Sequence, residues 1–273
     1  PGRCPATLGI GPLVDAVQRV RRGEVKGGRP DGSGRAGPML DKNASLLFEL
    51  RQHDFFASMS DETMEELLAL TQTKTIKGRQ AVFRQGEEGD TLYVILSGRV
   101  KIATTSVAGK ETVLCFMGPG DVLGEIAVLD SGVRTASAVV IEEARVLALK
   151  QSVFLSFLEK HPKIALHIIR VLCGRLRSTD EFVEQMTTLQ AGPRLAKALL
   201  RLADQYGKPQ ASGGILVDIK LSQANLGAHA GLMRENVNRQ LKMWEDEGVL
   251  EGKGGVIVLH RPESLEEIAE AAS

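Results

Sequence analysis

Gly124-Glu125-Ile126, followed nine residues after the glutamate by Arg134-Thr135-Ala136, puts a carboxylate, a guanidinium, a hydroxyl and several small residues into one short segment. A cyclic nucleotide carries a ribose hydroxyl that needs an acceptor. Its cyclic phosphate needs an arginine fork with hydroxyl or amide donors beside it. Glu125 meets the first requirement, and Arg134 with Thr135 the second. The competing reading of the same residues is a partly buried Glu125–Arg134 ion pair that only holds the fold together.

Around this segment, residues 73–150 read as short apolar runs: Ala81-Val82-Phe83, Leu92-Tyr93-Val94-Ile95-Leu96, Val100-Lys101-Ile102, Val113-Leu114-Cys115-Phe116, Ala138-Val139-Val140-Ile141 and Val146-Leu147-Ala148-Leu149. Gly, Asp and Ser turns bound them, among them Gly86-Glu87-Glu88-Gly89-Asp90, Ser97-Gly98 and Gly118-Pro119-Gly120-Asp121. Many short strands with frequent turns predict an antiparallel barrel or roll. Residues 43–70 are helical in pattern. Ser60 before Asp61-Glu62-Thr63 marks a helix start, and Met64, Leu67 and Leu68 form its apolar face.

After Lys150 the helical period returns and lasts to about Leu189. Ile169, Leu172, Leu176, Thr179, Val183 and Met186 fall at steps of 3, 4, 3, 4 and 3, the a/d seam of a two-helix coiled coil. The seam predicts a homodimer about this helix, with another helix face free to pack on the chain's own roll. Thr179, polar within the seam, either sets the register or meets a ligand. Gln190-Ala191-Gly192-Pro193 breaks the helix, with Pro193 at the first position of the next one. Leu195, Leu199 and Leu202 continue as an amphipathic helix. Residues 205–214, with Gly207, Pro209, Gly213 and Gly214, read as an exposed loop.

A second constellation follows. Ser222 caps a short helix, Ala230-Gly231 turns, and Arg234-Glu235-Asn236-Val237-Asn238-Arg239-Gln240-Leu241-Lys242-Met243-Trp244 forms a second helix. At about 100° per residue, Arg234, Glu235, Asn238 and Arg239 share an arc of roughly 140°. Val237, Leu241 and Trp244 oppose them. A buried stripe against a face of long polar side chains is the layout of a DNA-reading helix-turn-helix, although a solvated amphipathic helix gives the same pattern. Arginine forks onto guanine, and glutamate accepts from cytosine N4. Gly252-Lys253-Gly254-Gly255 between two apolar runs predicts a hairpin wing, with Lys253 placed for a phosphate.

Composition sets the limits. With 273 residues the chain holds two ordinary domains, and a hydrophobic share of 43% is that of a globular protein. No apolar run reaches the roughly 18 residues of a membrane helix. Three scattered cysteines and five dispersed histidines give neither a disulfide framework nor a metal site, and point to a reducing cytoplasm. Net charge is +0, so any nucleic-acid footprint is local. Neither a nucleophile–base pair nor a phosphate loop appears, which argues against an enzyme. Residues 1–38 are rich in Gly, Arg and Pro between 21 and 38, and are expected to form a disordered basic tail, with Met39 a candidate native start.

The order of these parts resembles the bacterial CRP–FNR regulators over about residues 43–261. Phe83-Arg84-Gln85-Gly86-Glu87-Glu88-Gly89-Asp90 with Tyr93-Val94-Ile95-Leu96-Ser97-Gly98 is similar to that family's roll signature. Arg234-Glu235-Asn236-Val237-Asn238-Arg239 is similar to the recognition helix of its cyclic-AMP-dependent members. The resemblance implies an α+β chain. Its parts are a cyclic-nucleotide-binding β-roll over residues 39–159, a dimerisation helix over 160–189 and a winged helix-turn-helix over 190–273. It implies cyclic AMP as effector, held by Gly124, Glu125, Ile126, Arg134 and Thr135, with Thr179 reaching the adenine and Arg175 and Asp180 nearby. It also implies that Arg234, Glu235 and Arg239 read a TGTGA-type half-site, with Asn238, Ser222 and Lys253 at the same DNA interface. RNA polymerase would meet the loop at residues 205–214. Met233 departs from the family's Ser or Thr at the start of the recognition helix, and Asp180 stands where cyclic-AMP binders often have a small hydroxyl. A haem or gas effector, another nucleotide, effector-independent binding, or a regulatory subunit without DNA binding are the alternatives.

Overall fold

The computed structural model describes residues 46, 47, 50, 51, 56 and 59–271, apart from 212. The tail expected over residues 1–38, and most of the helical pattern before Ser60, lie outside the described residues. Those described divide into two compact units, one ending at Asp180 and one beginning at Glu181.

The first unit opens with α1 (Asp61–Ala69), where the Ser60 hydroxyl accepts from the Thr63 amide at 3.3 Å. Its strands are β1 (Gln72–Ile76), β2 (Ala81–Phe83), β3 (Thr91–Thr105), β4 (Glu111–Met117), β5 (Val122–Leu123) and β6 (Ser137–Lys150). A short helix α2 (Glu125–Asp130) interrupts them, and α3 (Gln151–Lys160) follows. All strand pairs are antiparallel, in the order β1-β6-β3-β4, with β2 also on β6 and β5 also on β3.

Two long strands replace four of the expected short ones. Ser97-Gly98, expected to be a turn, is a bulge inside β3, where Gly98 sits at φ 89° and the register against β6 shifts. A Cβ on Gly98 would collide with the Glu143 carbonyl oxygen and come within 2.6 Å of the Ala144 Cα, so only glycine permits this approach. The bulge reverses the parity of the strand. Ile95 before it and Val100 after it, an odd number of residues apart, both face the roll interior with Val140 and Val146. Leu92, Val94 and Leu96 face the other way, onto Met64, Phe154 and Phe157 of α1 and α3. The edge strand β1 gives no sequence signal, because residues 72–75 are all exposed and pairing with β6 alone makes it a strand.

His161, at φ −124° and ψ 69°, ends α3, and Pro162 opens α4 (Pro162–Thr188). Ile164 and Ile168 bury against the roll, and Leu172 packs partly against the same cluster. Ile169, Leu176 and Val183 of the expected seam are more than half exposed. Met186 leaves the seam. It packs on Gly231 in the space a Cβ would fill, with the Arg194 Nη1 3.2 Å from its sulfur.

In the second unit, α5 (Ala191–Tyr206) begins at Ala191, so Pro193 is its third residue rather than its first. Proline is still in the first turn, where its missing N–H costs no helical hydrogen bond. Residues 205–214 are less of a loop than expected. Gln205 and Tyr206 are helical, β7 (Gly207–Pro209) pairs with β8 (Ile215–Val217), and Gly213 and Gly214 are buried. Three residues are too few to show a period, so their partner strand decides. The unit continues with α6 (Gln223–Ala230), α7 (Arg234–Asp246), β9 (Leu250–Lys253), β10 (Val256–Leu259) and α8 (Pro262–Glu270), the sheet running β7-β8-β10-β9. The wing turn is Gly254-Gly255 alone, both at positive φ as a two-residue type I′ turn demands. Gly252 and Lys253 belong to β9.

Trp244 is completely buried and its indole nitrogen has no hydrogen-bond partner among the described residues. It holds its place by packing alone. Trp244→Ala should therefore lower the stability of the second unit by about 3–5 kcal/mol in urea unfolding. Trp244→Phe loses no hydrogen bond, and should cost clearly less than the alanine variant.

Candidate functional site

The Arg134 side chain is 4% exposed, a cation taken almost wholly out of water. Its Nη1 donates to the Gly124 carbonyl at 2.8 Å and its Nη2 to the Thr91 carbonyl at 2.6 Å. The guanidinium lies 4.2 Å from the Phe83 ring centroid, and Phe83 stacks on Tyr93 at 6.0 Å. Two glycines make the space. A Cβ on Gly89 would come within 3.1 Å of Arg134 Nε, and one on Gly124 would overlap Nη1. Gly124 also holds φ 80° as the N-cap of α2, a conformation that disfavours any other residue.

Burial lowers the Arg134 pKa, opposed by the nearby Tyr93, Asp90, Glu125 and Glu87. Among the described residues, no carboxylate bonds to the guanidinium. Arg134 Nε is a buried donor with no partner among the described residues. A buried cation bonded only to neutral carbonyls, with one donor unused, suits an anionic oxygen such as that of a cyclic phosphate. The residues present therefore fit the phosphate end of a cyclic nucleotide. Thr135 follows directly and is exposed, as is Ile126 on α2.

Glu125, the first residue of α2, is 4% exposed and pairs with Arg175 of α4 rather than with Arg134. Arg175 also donates to the Val122 carbonyl at 2.5 Å. Arg175, expected beside the base, thus sits on the carboxylate expected at the ribose. One turn on, the Thr179 hydroxyl donates to the Arg175 carbonyl at 2.9 Å, and its oxygen can still accept. Thr179 and Asp180 are exposed. Residue type alone assigns no role to Phe83, Gly89 or the Thr91 carbonyl. Phe83 and Gly89 lay inside the quoted roll signature, but a carbonyl leaves no mark in residue type.

In the second unit, Ser222 caps α6 by accepting from the Asn225 amide at 3.1 Å, and Gly231 at φ 66° ends it. Met233 precedes α7 with no side-chain cap, in line with its departure from Ser or Thr. Val237, Leu241 and Trp244 are buried. Arg234, Glu235, Asn238 and Arg239 are exposed, so one surface carries all four polar candidates. Arg239 donates to Asn236 at 3.2 Å, and Gln223 of α6 donates to Asn238 at 3.1 Å. The wing is tied to α7 where Glu245 accepts from the Gly252 amide at 3.0 Å, and Lys253 is exposed on it.

A sequence model of the cyclic nucleotide-binding domain matches residues 73–161, and one of the Crp-like helix-turn-helix domain matches residues 193–268. The CRP-like cAMP-activated global transcriptional regulator of Mycobacterium tuberculosis is 35% identical over 67% of this chain and 82% of its own length. The chain belongs to the CRP–FNR family. The cyclic AMP receptor protein of Thermus thermophilus is 32% identical over 78% of the chain and 95% of its own length. The c-di-GMP-responsive global regulator CLP of Xanthomonas campestris, 24% identical, shares the fold at a TM-score of 0.66, covering 74% of this chain and 99% of that one. As a family member the chain is a DNA-binding transcription regulator with a cyclic-nucleotide-binding domain. Among the described residues, no helix is long and apolar enough to cross a membrane, and no cluster of His, Cys, Asp and Glu is placed to hold a metal ion.

Gly124→Ala forces a side chain into the guanidinium and strains φ. It should lower stability by about 1–3 kcal/mol and displace Arg134. Unfolding curves overlaying those of the wild type would contradict this packing.

Proposed function

We propose that this chain is a homodimeric transcription regulator whose binding to a palindromic TGTGA-like site is switched by cyclic AMP. What carries the proposal is the presence of two unlike sites in one chain. One is a buried Arg134 with an unused donor, and the other is an exposed arc of Arg234, Glu235, Asn238 and Arg239. Identities of 35% and 32% to regulators described as responding to cyclic AMP support the choice of nucleotide.

In this proposal Arg134 and Thr135 hold the cyclic phosphate, with Gly124 and Gly89 keeping the guanidinium's place. Glu125 accepts from the ribose hydroxyl, Ile126 covers the sugar edge, and Thr179 meets the base with Asp180 beside it. Arg175 links Glu125 to α4, so a ligand on Glu125 acts directly on a contact made by the long helix. The exposed apolar residues Ile169, Leu176 and Val183 supply the dimer seam. A ligand that favours one arrangement of the helix pair shifts the population that binds DNA. On DNA, Arg234, Glu235, Asn238 and Arg239 enter the major groove, and Ser222 and Lys253 contact phosphates. The protein works in the cytoplasm without enzymatic activity, and RNA polymerase is its further partner.

Binding to a TGTGA-N6-TCACA duplex, followed by anisotropy with cyclic AMP, with cyclic GMP and without nucleotide, tests this. Affinity should rise with cyclic AMP; the same affinity in all three conditions would refute the switch. Arg134→Lys keeps the charge but loses the fork, and should abolish the nucleotide response while leaving unstimulated binding unchanged. Arg239→Ala should cost about 1–3 kcal/mol and relax preference at one base pair of each half-site. Equal loss on every sequence would instead mark Arg239 as a phosphate contact.

A further inference from the structure

The polar arc on α7 does not stand alone. Gln223, the first residue of α6, reaches across to it, and its Nε2 donates to the Asn238 Oδ1 at 3.1 Å. Asn238 lies one turn beyond Arg234, next to Arg239, and is exposed, while Gln223 is half-buried. This hydrogen bond holds the plane of the Asn238 amide against α6. The oxygen keeps a second lone pair, and the amide nitrogen keeps both hydrogens.

An acceptor and a donor side by side, held in one plane, match the N6 amino group and N7 of adenine in the major groove. A freely rotating asparagine holds the two out of the base plane for part of the time and discriminates less. Gln223 also sits at the start of the first helix of the motif, the helix that crosses the DNA backbone. Its second amide hydrogen is free to meet a phosphate there. Seating Gln223 on the backbone and orienting Asn238 on a base are then one event.

We infer that Gln223 is a specificity-determining residue, which positions Asn238 to read one adenine in each half-site. The inference rests on the DNA-reading role proposed above for α7. It adds a base pair to those assigned to Arg234, Glu235 and Arg239.

Selection from a duplex library randomised across the half-site, with the full chain and excess cyclic AMP, tests it. Titrations on duplexes carrying each of the four bases at the selected position follow. The wild type should select an adenine that Arg239→Ala does not relax. Asn238→Ala should bind all four duplexes within about twofold of one another. Gln223→Ala should reduce discrimination at that same position several-fold, leave the other positions unchanged, and cause no further loss when combined with Asn238→Ala. Unchanged emission from Trp244, the sole tryptophan, shows that each variant is folded. If Gln223→Ala weakens binding equally on all duplexes, or changes nothing, the positioning role is overturned. If the wild type enriches no sequence at all, the DNA-reading function fails, and the role of Gln223 with it.

Discussion

A buried guanidinium is costly unless its donors are met, and the first unit is arranged around meeting those of Arg134. Two carbonyls reach it from β3 and from the turn before α2. An aromatic ring lies beneath it, and two glycines leave the room it needs. The carbonyls reduce the desolvation penalty without cancelling the charge. That distinguishes this arrangement from a structural ion pair. A paired Arg134 and Glu125 would cancel each other's charge and weaken the hold on an anionic ligand. Instead Arg134 keeps a positive charge and an unused donor, while Glu125 turns to Arg175 on a different element.

That division of partners gives the roll two outputs. The Gly124 carbonyl that accepts from Arg134 belongs to the N-cap of α2, directly before Glu125, so the two groups occupy adjacent positions at the start of that helix. Any ligand that engages the guanidinium and the carboxylate together bears on α2 and, through Arg175, on α4. The bulge at Gly98 serves the same end by different means. It reverses the parity of β3, so one strand lines the roll interior on one stretch and packs on α1 and α3 on another.

Residue chemistry made the candidate site legible. Gly124, Glu125, Arg134 and Thr135 were readable because a carboxylate and a guanidinium at that spacing have few uses. Ser222 and the Val237, Leu241 and Trp244 stripe were readable from capping and helical period. What escaped was set by partners distant in sequence. β1 is polar and exposed up to its last residue, Ile76, and exists only through β6. Gly98 reads as a turn unless its approach to Glu143 is known. Met186 fits the heptad period but packs on Gly231. Gln223 carries no signal for its reach to Asn238, since the two meet only when α6 and α7 fold against each other.

Coupling between the two sites is the central claim, and linkage makes it measurable from either end. Cyclic AMP is titrated calorimetrically into the full chain alone and into the chain saturated with the TGTGA-N6-TCACA duplex. Control of DNA binding by the nucleotide requires tighter cyclic AMP binding on the DNA complex, by the same factor that cyclic AMP raises affinity for DNA. Equal nucleotide affinity with and without DNA would show two sites that share a chain but not a switch.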